Sequence, residues 1–440
     1  MNNSYQSQQL RVLMSITKQN KVLIITSSCG GGHLQLAIAK HQEVMDENPN
    51  SCICTKDVMK DWVWKPFGWF LIEVWNGSQR SGFVWLQSIF CAIPSIANIL
   101  LWPYIFIHTL RLIFKENIDR VIDTQCFGTS ATIKAIRIFN RMRKKQVYLE
   151  KVFSDLPTKR ANHFFLPIRQ LSQNDRRYIK LIAIDPLLEI GQSPEEFWKV
   201  NCNMPLSKRE YQYFYVRKPF KNFLHKERKQ EEGVLQISYK SPEELNLMLE
   251  SIHRGSATYS LLNGRIELKI DPKHRVYTIL LGSQPANDAT LNYIKAFIKI
   301  AQENQKVPTY LFVYCAEHTA DKTTLFSRTV EFIKQVQNYP TSLTIIPMTF
   351  QVDEIIAPLF FRSDMTCTRS GGQTAMELMC VGRGKIWIHS EARKKGRVLL
   401  NEELLKGIPG WEAGNAAYLQ RFRDAKLVTP DMIPSLAAEL

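Results

Sequence analysis

The sequence predicts an α/β protein of two similar halves, each a parallel sheet with helices on its faces. Three observations predict this. Strand and helix patterns alternate from Lys21 to Ser154 and again from Val276 to His389. Each half carries a glycine turn at a helix start, Ser27–Gly32 in the first and Arg369–Gly372 in the second. The length of 440 residues is enough for two cores.

Residues 1–20 read as a polar arm. Val22 to Thr26 is an apolar, β-branched strand, and Leu34 to Ala39 opens a helix after the glycines. A helix start presents unpaired backbone N–H groups and the positive end of its dipole. Glycines let a ligand approach that backbone. Gly30, Gly31 and Gly32 are therefore candidate contact residues, and His33 at the junction is a candidate reactive group. The turn is neither a dinucleotide fingerprint nor a nucleoside-triphosphate loop, since GxGxxG and GK[ST] are both missing. A purely structural turn with a solvent-facing histidine fits the same residues.

Ser51 to Thr55 reads as a second strand. Asp61 to Phe114 is then crowded with tryptophan and phenylalanine, and no charged residue falls between Phe83 and Ile107. That run has the length of a membrane span, but Pro94 and Pro103 interrupt it. Tryptophans at both ends, with Lys65, Arg80, Arg111 and Lys115 flanking, favour a patch that dips into a membrane surface. A true span and an ordinary core remain the alternatives.

Asp119 to Thr124 is a short strand, Ser130 to Met142 a helix, and Gln146 to Ser154 a strand leading into Asp155. Asp123 and Asp155 thus fall at carboxyl ends of strands, where ligands of parallel sheets sit. From Gln170 to Arg275 the pattern weakens. Lys208 to Lys229 holds eight Lys/Arg with interleaved aromatics, which suits single-stranded nucleic acid, an interfacial segment or a solvated linker. Nucleic acid is the less favoured of these. Ser241 to Arg254 reads as a helix, and the boundary between halves is placed at 235/236.

In the second half, strands are expected at Val276–Leu281, Pro308–Cys315, Leu343–Pro347, Met365–Thr368 and Lys385–His389. Gly371, Gly372, Gln373 and Thr374 offer N–H groups and a hydroxyl that can hold a diphosphate without a metal. Glu377, one turn on, can accept from a ribose diol, or can simply favour the helix dipole.

The formal charge of +16 favours anionic partners without choosing among phosphates, lipid headgroups and nucleic acid. Nine scattered cysteines read as free thiols in a reducing compartment. Only Cys52 and Cys54 are close, and nothing nearby completes a zinc set, so no metal is expected. The first twenty residues lack the apolar core of a secretory signal.

Four segments, in order, resemble a family. SSCGGGH, VFSDLPT, TRSGGQTAMELMCVGR and WEAGNAAYL resemble elements of the glycosyltransferases that make galactolipids and the lipid-linked peptidoglycan disaccharide. The resemblance implies a GT-B fold, two Rossmann-like parallel-sheet domains facing a cleft. It implies an acceptor domain over 21–235 that touches a membrane through 61–114, and a nucleotide-sugar domain over 236–440. It further implies a metal-independent hexosyltransferase, peripheral on the cytoplasmic face of a membrane, using a donor that is usually UDP-linked and a lipid acceptor. No cofactor is implied beyond the nucleotide-sugar substrate.

Carried over residue by residue, His33 is the general base, with Asp155 or Asp123 orienting it. Gly371, Gly372, Gln373 and Thr374 hold the diphosphate, beside Arg369 and Ser370, and Glu377 holds the ribose. Glu412 and Asn415 meet the sugar hydroxyls. Gly282 and Ser283 stand where a glycine-rich donor loop is expected, and residues 389–410 resemble an insertion. Other readings of the same residues are a transferase acting on a protein, a non-catalytic binder of nucleic acid or anionic lipid, and a nucleotide-sugar epimerase.

Overall fold

The computed structural model describes residues 20–28, 31–92, 94–205, 209–211, 214–227, 233–304, 307–317, 324–392 and 399–439. The polar arm up to 19, Gly30, part of the basic stretch and residues 393–398 of the insertion lie outside them.

The first lobe is a six-stranded parallel sheet. Its strands are β1 (Lys21–Thr26), β2 (Cys52–Asp57), β3 (Arg120–Asp123), β4 (Leu149–Val152), β5 (Ile179–Ala183) and β6 (Arg209–Tyr211), in the order β2-β1-β3-β4-β5-β6. Val22, Leu23, Ile24 and Ile25 are fully buried, because helices cover both faces. The order reverses between β1 and β3, and at such a switch point a crevice opens beyond the strand ends. The glycine turn, leading into α1 (Gly32–Glu47), emerges there.

The aromatic segment forms a wide turn and three helices, α2 (Lys65–Arg80), α3 (Val84–Ala92) and α4 (Pro94–Glu116). Pro94 begins α4, where its missing N–H costs nothing, and Pro103 lies inside it. No helix among the described residues is long and apolar enough to cross a membrane. Leu101, Ile105 and Ile113 of α4 turn inward with Ile133 and Ile136 of α5 (Thr129–Arg143). On the outer side Trp64, Trp69 and Trp85 are 68%, 66% and 63% exposed, with Phe70 and Phe83 also exposed.

The second lobe holds β10 (Arg275–Leu280), β11 (Thr309–Tyr314), β12 (Leu343–Met348), β13 (Met365–Thr368), β14 (Lys385–His389) and β15 (Lys426–Val428). They form a parallel sheet in the order β12-β11-β10-β13-β14-β15, the doubly wound Rossmann order. A small antiparallel sheet precedes it, made of β7 (Gly233–Ser238), β8 (Tyr259–Leu262) and β9 (Arg265–Ile270). Leu235, Ile237, Ile266 and Leu268 join the core of the second lobe. Two Rossmann-like lobes facing a cleft is the GT-B arrangement.

The cleft is closed along one side. Leu36, Ala37 and Val44 of α1 share an apolar cluster with Ala375, Met376 and Leu378 of the helix Gly372–Val381, bridged by Tyr215, Val216 and Phe220. The two helices that begin at glycine turns therefore pack against each other across the lobes.

Candidate functional site

Both helix starts are free of side-chain caps. Gly31, in the left-handed region at φ 78°, is the N-cap of α1, and Gly371 is the N-cap of the helix Gly372–Val381. A side chain at Gly31 would be strained by that φ and would crowd Ser283 Oγ, which would lie 3.0 Å from a Cβ. Gly31, Gly32, Gly282, Ser283, Arg369, Gly371, Gly372, Gln373, Thr374, Glu377 and Glu412 line one cleft that is open to solvent. The sequence placed all of these at the site. Arg217, Tyr314, Phe350, Gln351 and Asp353 are among the other residues of the wall, and the sequence marked none of them as a site residue.

The stretch Ser370–Glu377 is largely buried, because it lies against the first lobe. Gly372 abuts the turn after β4, where a Cβ would stand 1.9 Å from the Ser154 carbonyl oxygen. Ser370 Oγ and Gln373 Oε1 are buried and have no hydrogen-bond partner among the described residues.

Several expected roles are altered by the partners these side chains have. Glu377 is ion-paired with Arg217 Nη2 at 2.6 Å and accepts from Gln373 Nε2 at 3.1 Å, so it is not a free ribose acceptor. Arg217 also pairs with Asp353 and donates to Gln35 Oε1 at 2.8 Å, joining the linker to both lobes. Asn415 is fully buried away from the cleft. Its Oδ1 accepts from the Leu156 N–H at 2.8 Å, and its Nδ2 donates to Asp155 Oδ1 and the Ser370 carbonyl, each at 2.8 Å. It locks the lobes together and has no group left for a sugar hydroxyl. Asp123 is likewise sealed off, paired at 2.6 Å with Lys151, both fully buried. Its burial raises its pKa, and the Lys151 charge pulls it back.

His33 is half-buried just behind Gly32. Its Nδ1 lies 2.8 Å from the Thr124 carbonyl, which fixes the proton on Nδ1 and leaves the Nε2 lone pair free. Burial lowers its pKa, partly offset by Asp155 and the Thr124 carbonyl, while His163 and Lys151 lower it further. The imidazole is thus neutral at neutral pH. Asp155 does not hydrogen-bond it. The Asp155 carboxylate instead accepts from His163 at 3.0 Å and from Asn415. Burial alone would raise Asp155, but the bond and charge of His163, the Asn415 bond and the nearness of His33 carry it below the usual range.

Arg369 is held by Glu391 at 3.1 Å. Burial works against ionising Glu391, yet the bond and charge of His389, with Arg369, keep its pKa at about 2. Glu412, 7% exposed, is pushed up to about 7 by burial; Arg369 counters this and Asp155 adds to it. The folded state therefore holds a proton on Glu412 that the unfolded chain gives up near 4.5. Stability from this group is complete below that value and is lost as pH rises towards 7, a drop of about 3 kcal/mol. Thermal melts of Glu412→Gln between pH 4.5 and 8 are expected to show a flatter profile than those of the parent.

The α2–α3 hairpin also reaches the second lobe. Trp75 stacks on Trp411 with ring centroids 5.8 Å apart, Gln79 lines the cleft, and Gly82 approaches the Glu391 carboxylate.

No family model matches the chain, and no curated protein matches it by sequence. Among solved structures, MurG of Acinetobacter baumannii is 12% identical, with 96% of this chain and 90% of that one aligned and a TM-score of 0.46. A glycosyltransferase from Rickettsia africae is 11% identical over 96% and 87%, with a TM-score of 0.42. A UDP-GlcNAc 2-epimerase from Methanocaldococcus jannaschii, in complex with UDP-GlcNAc and UDP, is 10% identical over 96% and 92%, with a TM-score of 0.40. Likenesses this distant carry no weight for function, which rests on the site itself.

Proposed function

We propose that the protein is a metal-independent glycosyltransferase that moves a sugar from a nucleotide-sugar, UDP-linked in the first instance, to a lipid at a membrane surface. The observation that carries this reading is the pairing of two uncapped helix starts across one cleft, with a neutral histidine beside one of them. A helix start with fixed N–H donors stabilises the charge that develops on a leaving diphosphate. A neutral imidazole with a free Nε2 can take the proton from an acceptor hydroxyl. Gly371, Gly372, Gln373 and Thr374 serve the diphosphate, and Glu412 with Arg369 serves the sugar side. Ribose recognition at Glu377 requires sharing or displacing Arg217.

The test is incubation of the pure protein with UDP-sugars and vesicles carrying anionic lipid. Transfer to lipid is expected. No transfer and no donor hydrolysis with any common nucleotide-sugar would overturn the reading.

The lipid acceptor is supported by the exposed aromatic face of α2 and α3. An exposed aromatic face of that kind marks an interaction surface. Trp69→Ala together with Trp85→Ala is expected to weaken vesicle flotation at least tenfold, from about 1 kcal/mol or more of lost apolar burial per ring. Flotation is also expected to fall with added salt, which screens the basic flanks from anionic headgroups. A parent protein that stays in the soluble fraction would instead favour a protein acceptor.

A further inference from the structure

We propose that His163 is a positioning residue for the transfer, holding the Asp155 carboxylate against the Asn415 amide and within the field of His33. The proposal rests on the reading of His33 as the proton acceptor.

Asp155 sits on the turn after β4, with both oxygens engaged. Oδ2 receives His163 Nε2–H at 3.0 Å, and Oδ1 receives Asn415 Nδ2–H at 2.8 Å. One donor comes from each lobe, so the carboxylate is fixed only when the lobes are together. The imidazole of His163 is itself clamped. His163 is the second residue of the helix Asn162–Arg169, its ring lies 4.7 Å from that of Phe164, and Trp411 of the second lobe meets it edge-on at 6.1 Å. Phe164 also meets the ring of His33 edge-on at 6.1 Å, so the two imidazoles flank one phenyl ring and one carboxylate.

Their tautomers are opposite. His163 carries its proton on Nε2, towards Asp155, and His33 carries its proton on Nδ1, towards the Thr124 carbonyl. An aspartate in this place strengthens a neighbouring base, and a hydrogen-bond donor to that aspartate moderates the effect. The other titratable groups facing this cluster are Lys151, paired with Asp123, and Glu412, which faces Arg369. Lys151 opposes protonation of His33; Glu412 lies on the Asp155 side.

Two substitutions therefore act in opposite directions. His163→Ala leaves Asp155 ionised but less compensated, so His33 binds its proton more tightly. Asp155→Asn removes the charge, so His33 binds it less tightly. Histidine-selective NMR titration of the full-length protein reads this without any substrate. The His33 midpoint is expected to move up in His163→Ala and down in Asp155→Asn. His163→Gln, which keeps an N–H donor, is expected to lie close to the parent.

In transfer assays, His163→Ala is expected to lower kcat about tenfold or more, within the range of acid–base effects, with KM for the nucleotide-sugar nearly unchanged. The acid limb of its pH profile is expected to move upward. An unmoved His33 midpoint in a folded His163→Ala protein, or shifts of the same sign in both variants, would overturn the proposal. The expected NMR shifts in the two variants, together with a parent protein that transfers no sugar, would instead overturn the function proposed above and leave this coupling standing.

Discussion

Gly372→Ala is expected to abolish transfer, lowering the rate by more than about 100-fold, and to lower the unfolding midpoint by several degrees. The new Cβ would stand 1.9 Å from the Ser154 carbonyl oxygen, 2.6 Å from Asp155 Oδ1 and 2.7 Å from Asp155 Cα. Two of these are backbone atoms, and the third belongs to a carboxylate pinned by His163 and Asn415. None can rotate aside. Overpacking of this kind costs about 1–3 kcal/mol even when the surroundings adjust. Here the adjustment is separation of the lobes, which also breaks the three Asn415 bonds that cross or brace the interface. Gly371→Ala is the control for stability, because its Cβ meets nothing within 4 Å and its φ of −59° suits alanine. Small-angle scattering is expected to show a more open particle for Gly372→Ala and an unchanged one for Gly371→Ala. An active, compact Gly372→Ala protein would show that catalysis does not need this contact.

His33→Ala is expected to lower kcat by about 10²–10⁴-fold, the range for loss of a general base. Binding of a nucleoside diphosphate is expected to change little, since His33 stands behind the wall formed by Gly31 and Gly32 and is not among the residues lining the donor cleft. The parent activity is expected to be flat through neutral pH and to fall only below the ordinary histidine pKa of 6.5. The folded imidazole is neutral there, because burial disfavours its charge more than Asp155 and the Thr124 carbonyl favour it. His33→Asn keeps a short polar side chain at the same place and is expected to be as inactive as the alanine variant. Near-parent activity of either variant would remove His33 from the mechanism.

Local periodicity made most of the framework legible. The strand Val22–Thr26 and the helix after it, the strands at 343–347, 365–368 and 385–389, and the helix start at Gly372 follow from residue order alone. Of the groups read at the carboxyl ends of strands, the glycine turn reaches the cleft through Gly31 and Gly32, Asp123 is sealed off with Lys151, and Asp155 is held between the lobes. The antiparallel sheet β7–β9 was not legible, nor were β5, β6 and β15 as strands. β6 and β15 are three residues each, and β7 lies in a stretch where charge hides the alternation of Leu235 and Ile237.

Side-chain partners were the least legible part. Asn415 and Asp155 are separated by 260 positions, and only the closed lobes bring them within bonding distance. The role given to Asn415 by resemblance, contact with sugar hydroxyls, is replaced by a lock between lobes. Arg217 was visible only as one charge in a basic, aromatic stretch, whereas the fold makes it the partner of Glu377 and Asp353. His163 had a weak signal, a histidine eight residues beyond Asp155 at the start of the next helix. In the aromatic segment, composition foretold the exposed face of Trp64, Trp69 and Trp85 but not the inward stacking of Trp75 on Trp411.

The central claim is that the cleft between the lobes grips a nucleoside diphosphate. Thermal unfolding of the full-length protein with UDP, GDP and CMP, and with their sugars, tests it most directly. A ligand at a hundred times its dissociation constant adds about 2.7 kcal/mol to the folded state. A rise in the midpoint with one nucleoside diphosphate, absent in Gly372→Ala, is the result expected. An unmoved midpoint with every nucleotide and nucleotide-sugar at millimolar concentration would contradict it.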